Sequence, residues 1–275
     1  MEKLYRIGYI HIMRNKLTDE LAVCGLNAVA AIAENHPEKI NRLFLREDRL
    51  KHLTGICKQL AERKRPYKIC KDEELEKICK SIHHQGVVAM IYLPDLEPLN
   101  REDLDEWSRE GMTGLVLHAV GNDHNLGAMI RSAAFFDVKY IVISEKDPDA
   151  ALTTSAYRTA EGGMEHVCVR TVRNTAAFLR DASMQLLTIG ADPKARRKIS
   201  GLSGIIDEKQ KEARSLRTGA SRPGIALVFG NEETGLPDEV KDACSVLLRI
   251  PGTGLLESLN VAQTATLFMH RIFEL

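Results

Sequence analysis

The second half of the chain alternates apolar runs of strand length with segments of helical periodicity. The predicted strands are 114–120, 139–144, 185–189, 225–229 and 246–250. The predicted helices are 126–136, 174–183 and 258–273. Runs such as Ala226–Phe229 lack polar alternation, which is typical of parallel strands buried on both faces. The pattern therefore predicts an α/β domain with a parallel sheet over residues 113–275.

The first 95 residues alternate in the same way on a smaller scale. Helices are predicted at 18–34, 48–62 and 72–82, and strands at 40–45, 67–70 and 87–93. Residues 96–112 are acidic and include Pro98, so we expect them to connect two domains, with Trp107 docking the connector. The prediction is a small N-terminal α/β domain over 1–95 beside the larger one.

A long polar segment, 191–223, interrupts the second domain. It shows no core pattern, which predicts a mobile surface excursion with a helix near 207–216.

Composition excludes little but favours an intracellular protein. The 275 residues carry 38 basic and 38 acidic side chains, so net charge points to no partner. Basic residues do cluster, at 63–71 and at 194–198, where they are either phosphate contacts or an ordinary solvated surface. The six cysteines form no C-x-x-C pair, so we expect free thiols and no metal. Met1–Ile10 has no leader character and no stretch suits a bilayer, which predicts a cytoplasmic location.

Three polar, glycine-containing loops follow predicted strands. They span 121–127, 230–237 and 251–260. Ligands of open parallel sheets bind where the strands end, so these loops are the candidate site. Simpler roles remain open for Asn125 and Ser258 as helix N-caps, for Arg131 as an exposed ion pair, and for the glycines of the second loop as a tight turn.

The third loop also imitates a dinucleotide-binding fingerprint. Gly252 and Gly254 stand between a strand and a helix, but Glu257 occupies the position of the third glycine or alanine. The chain ends before an acidic ribose partner about 20 residues later. A dehydrogenase of the Rossmann type is therefore rejected.

Taken together, the loops match three motifs in order. Asn125–Ala133 fits N-x-G-x-x-x-R-[ST]-A, Gly230–Leu236 fits G-x-E-x-x-G-L, and Ile250–Val261 fits I-P-x-x-G-x-x-x-S-L-N-V. In this the chain resembles the TrmH/SpoU family of RNA 2'-O-methyltransferases, of the SPOUT superfamily, and its YfiF-like branch in particular. The segments Cys24–Val29 and His84–Ala89 resemble that family's N-terminal substrate-binding domain.

The resemblance implies a C-terminal parallel-sheet SPOUT domain with a trefoil knot, an N-terminal RNA-binding domain and a homodimer formed through the C-terminal domain. It implies S-adenosylmethionine as cofactor, methylation of a ribose 2'-hydroxyl in rRNA or tRNA, and no metal. The implied catalytic residues are Arg131, Asn125, Glu232, Ser258 and Asn260. The implied cofactor-binding residues are Phe229, Gly230, Asn231, Glu232, Gly235, Ile250, Gly254, Leu259 and Asn260. The candidate RNA-binding residues are Lys64, Arg65, Lys68, Arg131 and Arg158.

One segment departs from the family pattern. Many members carry a Lys-Ala-Ser-Ala-Gly-Ala-like stretch where this chain reads Arg158-Thr-Ala-Glu-Gly-Gly163, so that Glu161 places an acid where small residues are usual. The departure leaves a second hypothesis, an RNA-binding or ribosome-assembly factor built on a methyltransferase scaffold. Binding of S-adenosylmethionine discriminates between the two.

Overall fold

The computed structural model describes residues 20–92, 96–145, 152–215 and 222–275, without the side chains of 212–215. The expectations for Met1–Ile10 lie outside these ranges. None of the helices within the ranges is long and apolar enough to cross a membrane. All six cysteines are free thiols, four of them buried.

The N-terminal domain is a four-stranded sheet with helices on both faces. Its elements are β1 (Glu20–Cys24), α1 (Leu26–Asn35), β2 (Ile40–Leu45), α2 (Thr54–Glu62), β3 (Tyr67–Ile69), α3 (Asp72–Cys79) and β4 (Val87–Tyr92). The strand order is β1-β4-β2-β3, antiparallel except between β2 and β3. Helices α1 and α2 cover one face and α3 covers the other.

The predicted helix at 18–34 is wrong in its first part. Residues 20–24 form β1, and α1 begins only after Gly25, whose φ of 103° no helix contains. All five residues of β1 are buried, so the strand shows no alternation of polar and apolar side chains that would separate it from a helix.

The C-terminal domain is a seven-stranded parallel sheet between two layers of helices. Its elements are α4 (Arg101–Arg109), β5 (Thr113–Leu117), α5 (Asp123–Phe135), β6 (Tyr140–Ser144), α6 (Thr154–Ala160), β7 (Cys168–Val172), α7 (Thr175–Ala182), β8 (Leu186–Ala191), β9 (Arg197–Lys198), α8 (Leu202–Ser215), β10 (Gly224–Phe229), α9 (Asp238–Lys241), β11 (Val246–Arg249) and α10 (Val261–Phe273). The strand order is β7-β6-β5-β10-β8-β11-β9. Every pairing is parallel, as the sequence predicts.

The two faces of this sheet belong to different cores. Along β10, Leu227 and Phe229 pack with α5 and α10, whereas Ala226 and Val228 pack with α4 and α7. All of them are buried, which explains the unbroken apolar run in the sequence.

The connector between the domains contributes a helix to the second one. Asn100 and Asp103 form a reciprocal capping box that starts α4. Trp107 on α4 is 0% exposed, and its Nε1 donates to the carbonyls of Met112 and Ile225 at 3.1 and 3.2 Å. The expected docking of Trp107 is confirmed, and it attaches α4 to the sheet.

Several elements of the second domain were not predicted, and one was predicted too short. Helices α4, α6 and α9 and strands β7 and β9 were not predicted. The segment 191–223 is not free of core residues, because Leu202 and Ile206 of α8 are buried against the sheet. A helix near 207–216 is confirmed, but it starts five residues earlier. Short elements with one or two core residues give too little periodicity to recognise.

The chain crosses the sheet between its last strand and its last helix. Strand β11 lies beyond β8, away from β10 and β5. Helix α10 nevertheless packs beside α5, where the hydroxyls of Ser132 and Thr266 are 2.9 Å apart, and Phe268 meets Phe229 edge to face. The chain therefore returns across the carboxyl ends of β8 and β10. That path is the one a knot requires, and the knot itself stays a prediction.

The two domains share a continuous apolar core. At their boundary the Thr154 hydroxyl, at the start of α6, donates to the Ala22 carbonyl at 2.6 Å. The Lys39 ammonium lies 2.7 Å from the buried carboxylate of Glu165, in the turn after α6. The N-terminal domain is thus docked on α6 and on that turn.

Candidate active site

The three loops meet at the carboxyl edge of the second sheet. The Asn125 amide donates to Glu232 Oε1 at 2.6 Å, and its oxygen accepts from Asn260 Nδ2 at 3.0 Å. These partners lie 107 and 135 residues away along the chain. One asparagine side chain therefore ties together the first, second and third motifs.

The helix starts are capped by other residues than the simpler interpretations assumed. Asn122 caps α5 by accepting from the His124 amide at 2.8 Å, and Asn260 caps α10 by accepting from the Ala262 amide at 2.9 Å. Asn125 and Ser258 as N-caps are therefore wrong. Asn125 is left free for its long-range contacts, and Asn260 combines a cap with the bond to Asn125.

The second loop is a tight turn whose two ends touch. A Cβ added at Gly230 would lie 2.4 Å from the carbonyl carbon of Gly235, so only glycine fits there. The Asn231 side chain donates to the Ala119 carbonyl at 2.8 Å and accepts from the Glu233 amide at 2.9 Å. The turn interpretation is correct as far as it goes, but the turn also presents Glu232 to Asn125.

The third loop exposes an apolar surface beside this network. Ile250 packs partly against the core, whereas residues 251–260 are all exposed. Leu255, Leu256 and Leu259 are 88%, 81% and 46% exposed. Gly254 has a φ of 86°, which side chains rarely adopt. Contiguous apolar side chains left in water mark a surface that a ligand or a partner covers.

Arg131 lies on α5 and forms an exposed ion pair. Its Nη1 is 3.0 Å from Glu161 Oε1, and the two side chains are 58% and 38% exposed. Such a pair contributes about 0–1 kcal/mol to stability, so stability alone gives little reason for it. The simpler interpretation of Arg131 describes a real contact, but it does not explain why the contact lies at the domain boundary.

Several other predicted site residues lie away from this network or are already engaged in other contacts. Phe229 is a core side chain, 1% exposed, that no ligand can reach. Arg65 donates to the backbone carbonyl of Glu38, and Lys68 pairs with Glu74 at 2.9 Å. Lys64 is exposed and precedes β3, at the end of the first sheet away from α6. Arg158 is on α6, beside the start of α1.

Glu161 departs from the family pattern without a predicted role, and Asn27 was not among the predicted site residues. Asn27 Nδ2 donates to Glu161 Oε2 at 3.3 Å. The sequence feature that could have indicated a role for Glu161 is an acidic residue directly before two glycines at the end of a helix. Within the described ranges, no group of three or more His, Cys, Asp or Glu side chains is placed to hold a metal ion.

The chain is similar to curated bacterial methyltransferases over nearly its whole length. It is 30% identical to the uncharacterized tRNA/rRNA methyltransferase YfiF of Escherichia coli O157:H7, over 91% of this chain and 67% of that protein. It is 31% identical to the 23S rRNA (guanosine-2'-O-)-methyltransferase RlmB of Acinetobacter baylyi, over 90% and 94% of the two chains.

Solved structures share the fold. The AdoMet-bound rRNA methyltransferase of Sinorhizobium meliloti superposes with a TM-score of 0.69 at 21% identity, covering 93% of this chain and 87% of that one. The SpoU methyltransferase AviRb of Streptomyces viridochromogenes, in complex with AdoMet, gives 0.69 at 18% identity, covering 95% and 93%.

Family models account for both domains. Residues 22–95 match the RNA 2'-O ribose methyltransferase substrate-binding domain, and residues 112–270 match the SpoU rRNA Methylase family. The second match covers more than half of the chain and contains all three motif loops. The chain belongs to the SpoU rRNA Methylase family.

Proposed function

We propose that this chain transfers a methyl group from S-adenosylmethionine to a ribose 2'-hydroxyl of structured RNA, either rRNA or tRNA. The observation that carries the proposal is the Asn125 amide, which joins Glu232 and Asn260 at the edge where the three motif loops end. The relative named RlmB carries this activity in its name, and two structural neighbours were solved with AdoMet. An RNA substrate favours the cytoplasm as the place of action.

The residues present fit the cofactor. The turn at Gly230 is too tight for a side chain, so the backbone of the second loop closes on itself beside the motif network. The exposed Leu255 and Leu259, with the partly buried Ile250, supply apolar surface suited to the faces of an adenine ring. When bound, S-adenosylmethionine supplies an activated methyl group on a sulfonium. Holding a ribose oxygen in line with that methyl can remove about 7–11 kcal/mol of barrier, which is the contribution we assign to the loops.

Arg131 is the candidate group for the ribose hydroxyl. An arginine is always protonated in proteins. A general base has to give up a proton first, so we assign Arg131 to positioning and electrostatic stabilisation instead. Its guanidinium presents five N–H donors, enough to hold Glu161 and an RNA oxygen together.

RNA phosphates have two candidate surfaces. The first comprises the N-terminal residues Lys64, Arg65 and Lys68 beside β3, and Arg158 lies apart from them on α6. Lys64 and Arg158 have no acidic partner among the described residues.

The second surface is a basic edge at the carboxyl side of the second sheet. Its exposed members are Lys194, Arg196, Arg197 and Lys198. The acid in this stretch, Asp192, turns inward to Lys241 at 3.5 Å. Arg197 pairs with Leu248 of β11, which places the basic edge three strands from β10, a span of about 14 Å at ordinary strand spacing. An RNA strand can bridge that distance with a few nucleotides.

A two-fold dimer is the proposed assembly. Phe135 at the end of α5, Leu267 and Phe273 on α10, and Leu275 just beyond it are large exposed apolar side chains. One self-complementary patch of this kind suits a C2 interface. Light scattering on the purified chain tests it, and a monomer at micromolar concentration removes the proposal.

The direct test is transfer of a labelled methyl group to structured RNA. Arg131→Ala is expected to abolish transfer while the circular dichroism spectrum is retained. The matched control is Arg109→Ala, because Arg109 is also an exposed arginine paired with a glutamate, at 2.9 Å, but lies on α4. Unchanged transfer by Arg131→Ala would contradict the role of Arg131. Failure of the wild type to bind S-adenosylmethionine at millimolar concentration in calorimetry would favour the RNA-binding scaffold instead.

A further inference from the structure

The Glu161 carboxylate bridges the two domains at the arginine of the first motif. Its Oε1 contacts Arg131 Nη1 at 3.0 Å, and its Oε2 accepts from Asn27 Nδ2 at 3.3 Å. Arg131 belongs to the catalytic domain, whereas Asn27 lies in the first turn of α1 in the N-terminal domain. Each carboxylate oxygen is thus used by a different domain.

The backbone holds this carboxylate in place. Glu161 ends α6 in the left-handed region, with φ 45° and ψ 43°. The next residue, Gly162, has a φ of 94°, and a Cβ added there would lie 2.7 Å from the Ala31 Cβ of α1. Helix α1 therefore rests directly on the turn. The turn cannot move away from Arg131 without separating the two domains.

Local energetics do not explain a glutamate at this position. A left-handed conformation is unfavourable for residues other than glycine, asparagine and aspartate, at about 1 kcal/mol or more. The exposed ion pair with Arg131 stabilises the fold by only about 0–1 kcal/mol. Glycine would adopt this backbone conformation at lower cost. We therefore assign the Glu161 side chain the role of holding the Arg131 guanidinium in place.

We propose that Glu161 is a positioning residue for Arg131, and that its bond to Asn27 makes the arginine's position depend on the docking of the RNA-binding domain. The inference rests on the proposed role of Arg131 in methyl transfer. Glu161 takes one of the five donors of the guanidinium and restricts its rotamers, leaving the others for the RNA. A reacting group misplaced by about 1 Å can cost on the order of 100-fold in rate.

The proposal predicts a split between turnover and binding. Removing the carboxylate frees Arg131 to rotate, which lowers kcat. It also removes a negative charge from the RNA path, so the KM for RNA does not rise. A merely structural role would instead lower thermal stability and raise both KM values.

The first experiment compares Glu161→Gln with the wild type in methyl transfer to structured RNA. The expected result is a fall in kcat of about tenfold or more, with an unchanged KM for RNA, unchanged S-adenosylmethionine affinity by calorimetry and an unchanged melting temperature. Glu110→Gln is the matched control, since Glu110 also pairs with an exposed arginine, Arg109. Wild-type kcat in Glu161→Gln overturns the proposal. So does a KM for RNA that rises as kcat falls, because Glu161 would then be an RNA contact.

Glu161→Gly guards against a folding artefact, because glycine relieves the left-handed backbone. It is expected to melt no lower than the wild type and to show the same loss of kcat. Asn27→Ala is expected to lower kcat less, and to add nothing in a Glu161→Gln background, since both act through one contact. Additive losses would overturn the link to Asn27.

A measurement independent of activity separates this inference from the proposed function. Nitrogen-15 relaxation of the arginine side chains reports the order of the Arg131 guanidinium, which is expected to fall in Glu161→Gln. Unchanged order overturns the positioning role even if the enzyme is active. In a further outcome, the wild type transfers no methyl group while the Arg131 guanidinium still loses order in Glu161→Gln. That pair of results would refute the proposed function but not the effect of Glu161 on the position of Arg131.

Discussion

Gly230 offers a sharp test of the site, because a single methyl group has no room there. The Cβ of an alanine would lie 2.4 Å from the Gly235 carbonyl carbon and 2.5 Å from its oxygen, against ordinary contact distances that begin at 3.4 Å. The obstructing atoms are backbone, so the turn must open by about 1 Å, a displacement that can cost on the order of 100-fold in a positioned site. Gly230→Ala is therefore expected to weaken S-adenosylmethionine binding at least tenfold.

The same change also has a cost in stability. Overpacking of this kind destabilises by about 1–3 kcal/mol. For a domain of this size each kcal/mol corresponds to about 2–4 °C in melting temperature, so a decrease of several degrees is expected.

Calorimetry with S-adenosylmethionine and a thermal unfolding scan measure the two effects. Gly252→Ala in the neighbouring loop is the control, because a Cβ at Gly252 meets nothing within 4 Å. Gly230→Ala with wild-type cofactor affinity would refute the assignment of this turn to the cofactor site.

Three further outcomes follow from the packing around the sheet. Trp107→Phe deletes the indole donor shared by two buried carbonyls, and urea denaturation should show a loss of about 1–3 kcal/mol. Thr154→Val removes the buried bond to the Ala22 carbonyl between the domains, with a similar loss, whereas Thr159→Val at a less buried site of α6 should change little. Burial and a 2.6 Å bond to Glu106 raise the pKa of Tyr140 above its ordinary value of 10.0. The folded state thus resists ionisation, so the free energy of unfolding should decrease as pH rises above 10.0, and less so in Tyr140→Phe.

The order of elements in the catalytic domain was readable because its signal is repeated. Strands β5, β6, β8 and β10 are apolar runs buried almost throughout, and β11 is a shorter apolar run, so all five were predicted. The same reasoning failed at residues 20–24, where a short buried strand next to a helix gives one continuous apolar pattern. It also failed at β7, whose apolar run is interrupted by Arg170 and Thr171.

The contacts among the candidate site residues could not be predicted from the sequence. Asn125, Glu232 and Asn260 were identified from three separate motifs, whereas their bonds depend on how α10 returns beside α5. The helix caps were assigned to the wrong residues, because Asn122 and Asn260 compete with Asn125 and Ser258 for the same local role. A capping preference is shared by several residue types and cannot choose between neighbours.

By itself the sequence determined the alternation of strands and helices, the parallel sheet and the three loops at its carboxyl edge, because periodicity and motif spacing are local properties of the chain. Only the tertiary structure decided that Glu161 stands between Arg131 and Asn27. The contact between Glu161 and Asn27 joins residues 134 positions apart across a domain boundary. Its geometry depends on the packing of α1 against the turn after α6, and packing between distant segments leaves no periodic trace in either of them.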